Sequence, residues 1–420
     1  MNNFTFESKQ KMLFGGMMGI GFLCLILSLF MDDLGHQTRF WSNFMHNSIF
    51  FTGIATMILF FVAVSVTAWG GWYTVFKRLW ESMYSFLLGP ALILIGIMVV
   101  AVYGDLAHVY HWMHPGDDAI LLHKSSFLNK NWYALASVVI VCIWAFFGNK
   151  LRSLSLAEDN GNGGFAFHSK IRVWSAAFLP ILGFSSAAII WQWVMSVDAH
   201  WYSTLFAWYA GASWFVSGMA LTVILLIYFQ GKGYFAKVTG EHIHDLGKLV
   251  FAFSIFWAYL WFSQFMLIWY ANVGEETIYF YERMNDYPVL FFGNLILNFV
   301  TPFFVLMRND TKRKRGTLLF ASCVVLFGHW IDYFLMLKPG ILHTALHGEH
   351  ASGSIAGFSQ PGFLEVGTFI GFLGLFLFMT FRRLSKMPLE AKNDPYLDES
   401  AHHHVGYGGG AMHHGAHDHH

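Results

Sequence analysis

Ten apolar stretches, separated by short polar linkers, run through this chain and leave few folds open to it. They are Met12–Met31, Ser48–Trp69, Met83–Tyr103, Trp132–Phe147, Val173–Val197, Leu205–Phe229, Leu249–Val273, Val289–Met307, Thr317–Leu337 and Phe363–Thr380. Each is near the roughly 20 residues that a helix needs to cross a hydrocarbon core about 30 Å thick. Trp132–Phe147 is the shortest of them. The pattern predicts an all-α polytopic membrane protein, with residues 1–387 as its integral membrane domain. Residues 388–420, rich in His, Gly and Ala, read as a disordered tail. The charged fraction is 12%, against about 25% in an ordinary soluble domain. The polar opening Met1–Gln10 and the lack of a small-residue cleavage site predict that the first span is retained rather than a signal peptide.

Spans alternate in direction, so the linkers alternate in side. Of the 25 Lys and Arg residues, only Arg39, Lys124, Lys130, Arg283 and Lys338 fall on the side away from the termini. The positive-inside rule then places both termini in the cytoplasm. The opposite, outer side is acidic, with Asp32, Asp33, Asp105, Asp117, Asp118, Glu275, Glu276, Glu282 and Asp286. The stretch Glu275–Asp286, beside Tyr279, Tyr281 and Tyr287, suits a polar docking rim with aromatic anchors.

Several chemistries are disfavoured. The three cysteines, Cys24, Cys142 and Cys323, sit inside spans and form no CxxC or CxxCH pair. No iron–sulfur ligand set, structural zinc site or covalent haem site follows from them. Of 22 histidines only His329 lies well inside a span, whereas a membrane b-haem normally takes two axial imidazoles. No phosphate-binding loop or dinucleotide fingerprint is present. The expectation is that the chain alone binds no metal and no redox cofactor.

Polar groups inside a membrane are costly and are functional candidates by default. His329 and Asp332, three apart, share a face of the ninth span, and Asn294 and Asn298, four apart, share a face of the eighth. Gln192 and Gln264 sit in the outer thirds of the fifth and seventh spans. His46 opens the second, and Asp105 and His108 close the third. Spacing suggests that the Asp332 carboxylate fixes the His329 tautomer. The inner half offers mostly hydroxyls, such as Ser175, Ser185, Thr222 and Ser322. A polar cavity open to the outer face is therefore expected. Trp191, Trp193, Trp257 and Trp261 could wall a quinone pocket or simply pack.

Two segments carry a family resemblance. One reads Met195-Ser-Val-Asp-Ala-His-Trp-Tyr-Ser-Thr-Leu-Phe206, the other His329-Trp-Ile-Asp-Tyr-Phe-Leu-Met-Leu-Lys-Pro339. With ten spans and this length, they resemble the polysulfide-reductase-like (NrfD-like) membrane subunits of bacterial alternative complex III, a quinol:cytochrome c oxidoreductase. The compact loop at 198–204 looks more like the smaller of its two such subunits. Ala199 stands where the family usually has Pro. The resemblance implies two four-helix bundles, the second to fifth and sixth to ninth spans, flanked by the first and tenth. It implies no redox cofactor on this chain, with menaquinol or ubiquinol as the reductant. Haem c and iron–sulfur clusters would belong to partners: an outer-face iron–sulfur/molybdopterin-like subunit and multihaem and monohaem cytochrome c subunits. A sister NrfD-like subunit, small membrane subunits and lipid would surround it, with a terminal oxidase as a further possible associate. Nothing suits nucleic acid. The implied location is the bacterial inner membrane.

On this reading the proton-path candidates are His329, Asp332, Asp105, His108, Asp198 and His200. The quinone-pocket candidates are His46, Gln192, Trp193, Gln264, Asn294 and Asn298. Two other readings stand beside it: an ion-coupled secondary transporter, and a purely structural anchor for outer-face redox subunits.

Overall fold

The computed structural model describes residues 3–161, 164–346 and 354–404. Among the described residues ten helices are long and apolar enough to cross a membrane, and the chain is an all-α integral membrane protein. They are α1 Ser8–Phe30, α2 Thr38–Thr67, α3 Thr74–Tyr103, α4 Lys130–Asp159, α5 Phe165–Val197, α6 Leu205–Gly231, α7 Gly240–Ala271, α8 Pro288–Leu306, α9 Arg315–Ala345 and α10 Phe363–Leu384. An even number of spans returns both chain ends to one face, and an isolated bridge between Asn3 and Pro388 joins them there. That face is called near; the opposite one, far.

Helices α2–α5 pack in a ring, and α6–α9 pack in a second. They meet through α2 and α6, the two most enclosed helices. Helix α10 lies against α2 and α3 and carries α1 on its other side. The α1–α10 pair has no bulky seam because glycines bring the backbones together. A Cβ on Gly21 would stand 2.3 Å from Gly371 Cα, and one on Gly367 would stand 2.3 Å from Cys24 Sγ. Small residues at helical spacing are how membrane helices gain close van der Waals contact without a hydrophobic driving force.

Three helices run past their apolar stretches, each because charges are paired rather than solvated. Helix α3 begins at Thr74, and α4 continues to Asp159. At that near end Lys77 Nζ donates to Asp394 Oδ2 at 2.7 Å and Glu158 Oε2 at 3.3 Å. Arg78 pairs with Glu81 and Asp159. The near half is therefore not limited to hydroxyls, as hydropathy suggested: Lys77, Arg78, Glu81 and Glu158 are all buried. Asp394 belongs to the segment expected to be a disordered tail, so residues 388–404 pack instead of trailing. Ser400 Oγ donates to Trp72 O at 2.6 Å, and His403 Nε2 lies 2.6 Å from Asp245 Oδ2. The rest of the His-rich stretch, from residue 405, lies outside the described residues.

At the far end α9 continues through Lys338 and Pro339 to Ala345. Lys338, expected in a linker, is fully buried, with Nζ donating to Ser42 Oγ and Asn43 Oδ1, both at 2.7 Å. Asn43 Nδ2 in turn donates to Glu365 Oε1 at 3.0 Å. Arg39 forks onto the same carboxylate, Nε to Oε1 at 2.9 Å and Nη2 to Oε2 at 3.1 Å. This network ties α2, α9 and α10 together. Removing one partner of a buried pair leaves an uncompensated charge, at about 3–5 kcal/mol. Glu365→Gln should lower the thermal midpoint of the detergent-purified chain, and Arg39→Met added to Glu365→Met should recover much of the loss. A Glu365→Gln midpoint equal to wild type would show that the pair holds nothing together.

Candidate functional site

Every helix of the second ring sends a side chain to Asp332. The carboxylate is fully buried on α9. Its Oδ1 accepts from Tyr209 Oη of α6 and from Asn294 Nδ2 of α8, the latter at 2.7 Å. Its Oδ2 accepts from Ser213 Oγ of α6 at 2.5 Å and Trp257 Nε1 of α7 at 2.9 Å. Tyr209 and Ser213 are four apart, hence on one face of α6. The indole can only donate, and the Asn294 amide donates here but would accept if flipped. The other two are hydroxyls, which can turn a lone pair toward the carboxyl if it gains a proton. The site can therefore hold the group in either protonation state without orphaning a partner.

His329 is close but not bonded. Its Nδ1 lies 3.9 Å from Asp332 Oδ2, beyond hydrogen-bonding reach. The expected carboxylate–imidazole tie is replaced because the carboxylate is already engaged by other donors. Both His329 ring nitrogens are buried without a hydrogen-bond partner, and the ring meets Trp257 edge-on at 5.4 Å.

Local backbone breaks create this geometry. Helix α8 contains a π-helical segment, Ile296–Val300, just before Pro302. Proline offers no N–H to the carbonyl four residues back, here Asn298, and such widened turns recur at functional sites. The widened turn carries Asn298 into the core, where its Nδ2 donates to Asn294 Oδ1 at 2.5 Å. Facing it is Gly328, whose added Cβ would sit 2.3 Å from Asn298 Oδ1. Pro339 does the same to α9, freeing the Leu335 carbonyl. Arg283, buried in the short far-face helix Gly274–Asn285, donates its Nε to that carbonyl at 3.0 Å.

Arg283 links the core to the far surface. Its Nη2 donates to Asp198 Oδ2 at 2.8 Å, and its guanidinium stacks 3.4 Å from the Tyr279 ring centroid. Below it a cavity of about 20 Å³, room for one water, is lined by Tyr209, Gln264, Tyr279, Arg283 and Asn294, among others. Above it a cleft of about 80 Å³ is lined by His111, Asp198, His200, Tyr279, Glu282 and His343. Tyr279 borders both. Asp332, Asn294, Gln264, Arg283, Asp198 and His200 thus mark a polar line from mid-bundle to the far face. His200 Nε2 lies 2.5 Å from Asp118 Oδ2, a contact that holds the Asp118 carboxyl below its ordinary range. Two of the expected aromatic anchors, Tyr279 and Tyr287, turn inward; Tyr281 alone of the three is exposed.

The remaining candidates lie elsewhere. Trp193 Nε1 donates to Ser137 Oγ at 2.8 Å inside the first ring. Gln192 reaches the Phe127 carbonyl at 3.5 Å. His46 Nε2 lies 3.0 Å from the Trp330 carbonyl and its ring stacks on Trp330, at the α2–α9 junction. Asp105 and His108 belong to a separate far-face group with His114. Sequence reading missed Tyr209, Ser213, Arg283 and the Arg39–Glu365–Lys338 network. A usable signal existed for the last: Arg39 and Glu365 open α2 and α10 at the same face with opposite charge.

The description of the polysulphide reductase NrfD family matches residues 32–345, which takes in α2 to α9 and leaves out the α1–α10 pair. The chain belongs to that family. No curated protein matches it. NrfD-family proteins are membrane subunits of quinol-linked redox complexes and partner with iron–sulfur or molybdopterin-type subunits. The cavity bordered by the Asp332 partners Tyr209 and Asn294 holds about 20 Å³, whereas small-molecule pockets run to about 300 Å³ or more. What the NrfD-type core offers here is a water-scale polar line. Asp198→Ala should leave Arg283 buried without its carboxylate, a loss of about 3 kcal/mol. Hydrogen exchange should then rise in Gly274–Asn285 and around Leu335; unchanged protection in both would show that Arg283 does not link them.

Proposed function

We propose that this NrfD-family chain is the smaller membrane subunit of a quinol:cytochrome c oxidoreductase of the alternative complex III type, and that its second ring of helices conducts protons. Oxidation of quinol to quinone gives up two electrons and two protons. The electrons pass to centres in partner subunits, and the protons need an acceptor and an exit. Asp332 supplies the acceptor, since its hydroxyl donors can reverse. Asn294, Gln264, Arg283 and Asp198 supply the exit line to the far face. The single observation that carries this reading is the buried Asp332 carboxylate, ringed by donors from α6, α7 and α8, two of which, Tyr209 and Asn294, border a water-sized cavity.

A transporter reading fares worse. Ion-coupled transporters of the repeat type break their helices at corresponding positions of two halves. Here the 3-10 and π segments fall at Ser85–Leu88 in α3 and Ile296–Val300 in α8, the second helix of one ring and the third of the other, and only the proline interruptions at Pro180 in α5 and Pro339 in α9 fall in corresponding helices. The charge bias of the linkers supports cytoplasmic termini in a bacterial inner membrane. A cysteine introduced at Asp117 should then react with an impermeant maleimide in intact cells; protection there, with labelling at Glu399→Cys, would reverse the orientation.

Asp332→Asn tests the proton role. The amide nitrogen can take the Asn294 side, where Asn294 and Asn298 can flip to accept it, so the fold should survive. Turnover per assembled complex should fall about 10-fold or more, in line with the loss of a positioned proton-transfer group. Lower thermal stability with undiminished turnover and proton release would make the site a structural tie.

A further inference from the structure

At the far end of the first ring, away from Asp332, two loops bring three imidazoles and a carboxylate together. His36 comes from the α1–α2 connection, and Asp105, His108 and His114 from the α3–α4 connection. The His36 and His108 ring centroids are 4.6 Å apart, and those of His108 and His114 are 5.5 Å apart. His114 Nε2 lies 2.9 Å from Asp105 Oδ1. One ligand-capable atom from each of Asp105, His108 and His114 falls within 4.8 Å of the others. Both loops turn through backbone conformations that residues other than glycine rarely adopt: φ is 51° at His36, 56° at Gln37 and 61° at Asp105. Nothing in the proton line uses these groups, and three imidazoles gathered this closely would repel one another if all were protonated.

We propose that Asp105, His108 and His114 form a binding site for a divalent transition metal ion, with zinc the best match, and that His36, whose ring lies against His108, turns in as the fourth ligand. Three nitrogens and one oxygen are the donors that zinc takes in tetrahedral sites, with bonds of about 2.0–2.2 Å. Those bond lengths put neighbouring ligand atoms about 3.3 Å apart. The His114–Asp105 contact would open by a few tenths of an ångström, and the wider separations would close by rotation of partly exposed side chains. The metal would replace the proton now shared between His114 and Asp105. Imidazole dominance disfavours magnesium and calcium, which take oxygen ligands. Lys130 Nζ sits 3.0 Å from Asp105 Oδ1, and a bound ion would take its place on that oxygen. The protonation states agree with this use. Burial, and then the neighbouring His36 ring, push the His108 imidazole below its ordinary value, toward the neutral ligand form. Burial raises the Asp105 carboxyl, but Lys130 and His114 outweigh it and hold it below the ordinary range. A bound ion would clamp the α1–α2 loop to the α3–α4 loop on the far face.

The test is a cobalt titration of the purified full chain with His413, His414, His417, His419 and His420 changed to Ala, so that the C-terminal histidines do not compete. One equivalent of Co2+ should give the intense visible absorption of a tetrahedral site, and Zn2+ should displace it. His108→Ala with His114→Ala should abolish the band and weaken Zn2+ binding about 100-fold or more, since even losses beyond the direct ligands cost 10–100-fold. Asp117→Asn, next to the site but outside it, should change neither. Unaltered circular dichroism of the double variant guards against unfolding. A Co2+ band that survives the double substitution, or no tetrahedral band in the parent chain, overturns the assignment.

Discussion

A carboxylate withdrawn from water has to find its solvation in the protein, and the second ring of helices is organised around that requirement. Asp332 is reached by Tyr209 and Ser213 from α6, Trp257 from α7 and Asn294 from α8. Each donor fixes the rotation of its helix about the bundle axis. The π segment of α8 before Pro302 and the close approach at Gly328 carry Asn298 in beside Asn294, and Arg283 takes up the Leu335 carbonyl that Pro339 leaves free. Leaving any of them out would strand a buried polar group, which costs more than a made hydrogen bond returns.

The same rule operates at both ends of the molecule. At the far end Arg39, Glu365, Asn43 and Lys338 form one closed network across α2, α9 and α10. At the near end Lys77, Glu158 and Asp394 form another, and Asp394 draws the segment after α10 back against the bundles. Between them the first ring is held by apolar packing and indole ties such as Trp193 to Ser137. The two rings are therefore unequal. One is chiefly a scaffold with a metal-competent far surface, and the other carries ionisable chemistry through its middle. The proposed proton conduction would need that division, because a conducting half must stay polar and narrow while the other half keeps water out.

Much of the architecture was legible in the sequence because hydropathy reports the one thing a lipid solvent demands. Ten spans, two rings and a flanking pair all follow from apolar length and family resemblance. Hydropathy is blind to charges that are paired inside the protein, so it ended α9 before Lys338 and began α3 after Glu81. It also read residues 388–404 as solvated, although Asp394 and Ser400 anchor them. Within the site, helical spacing grouped His329 with Asp332 and Asn294 with Asn298, and those pairs do share one core. Spacing could not show that Tyr209, Ser213 and Trp257, each unremarkable in an aromatic-rich span, converge on the same carboxylate. Nor could it separate His46, Gln192 and Trp193 from that core, since their depth in the membrane is similar and only packing tells the helices apart.

As an acceptor of quinol protons, the role proposed for it, Asp332 must change its protonation state while quinol is oxidised. Infrared difference spectroscopy on the assembled complex, before and after quinol addition, reads that event directly through the carbonyl stretch of a protonated carboxyl. A carboxyl band should appear on turnover, shift in deuterium oxide and be missing in Asp332→Asn. A difference spectrum identical in wild type and Asp332→Asn would contradict that role.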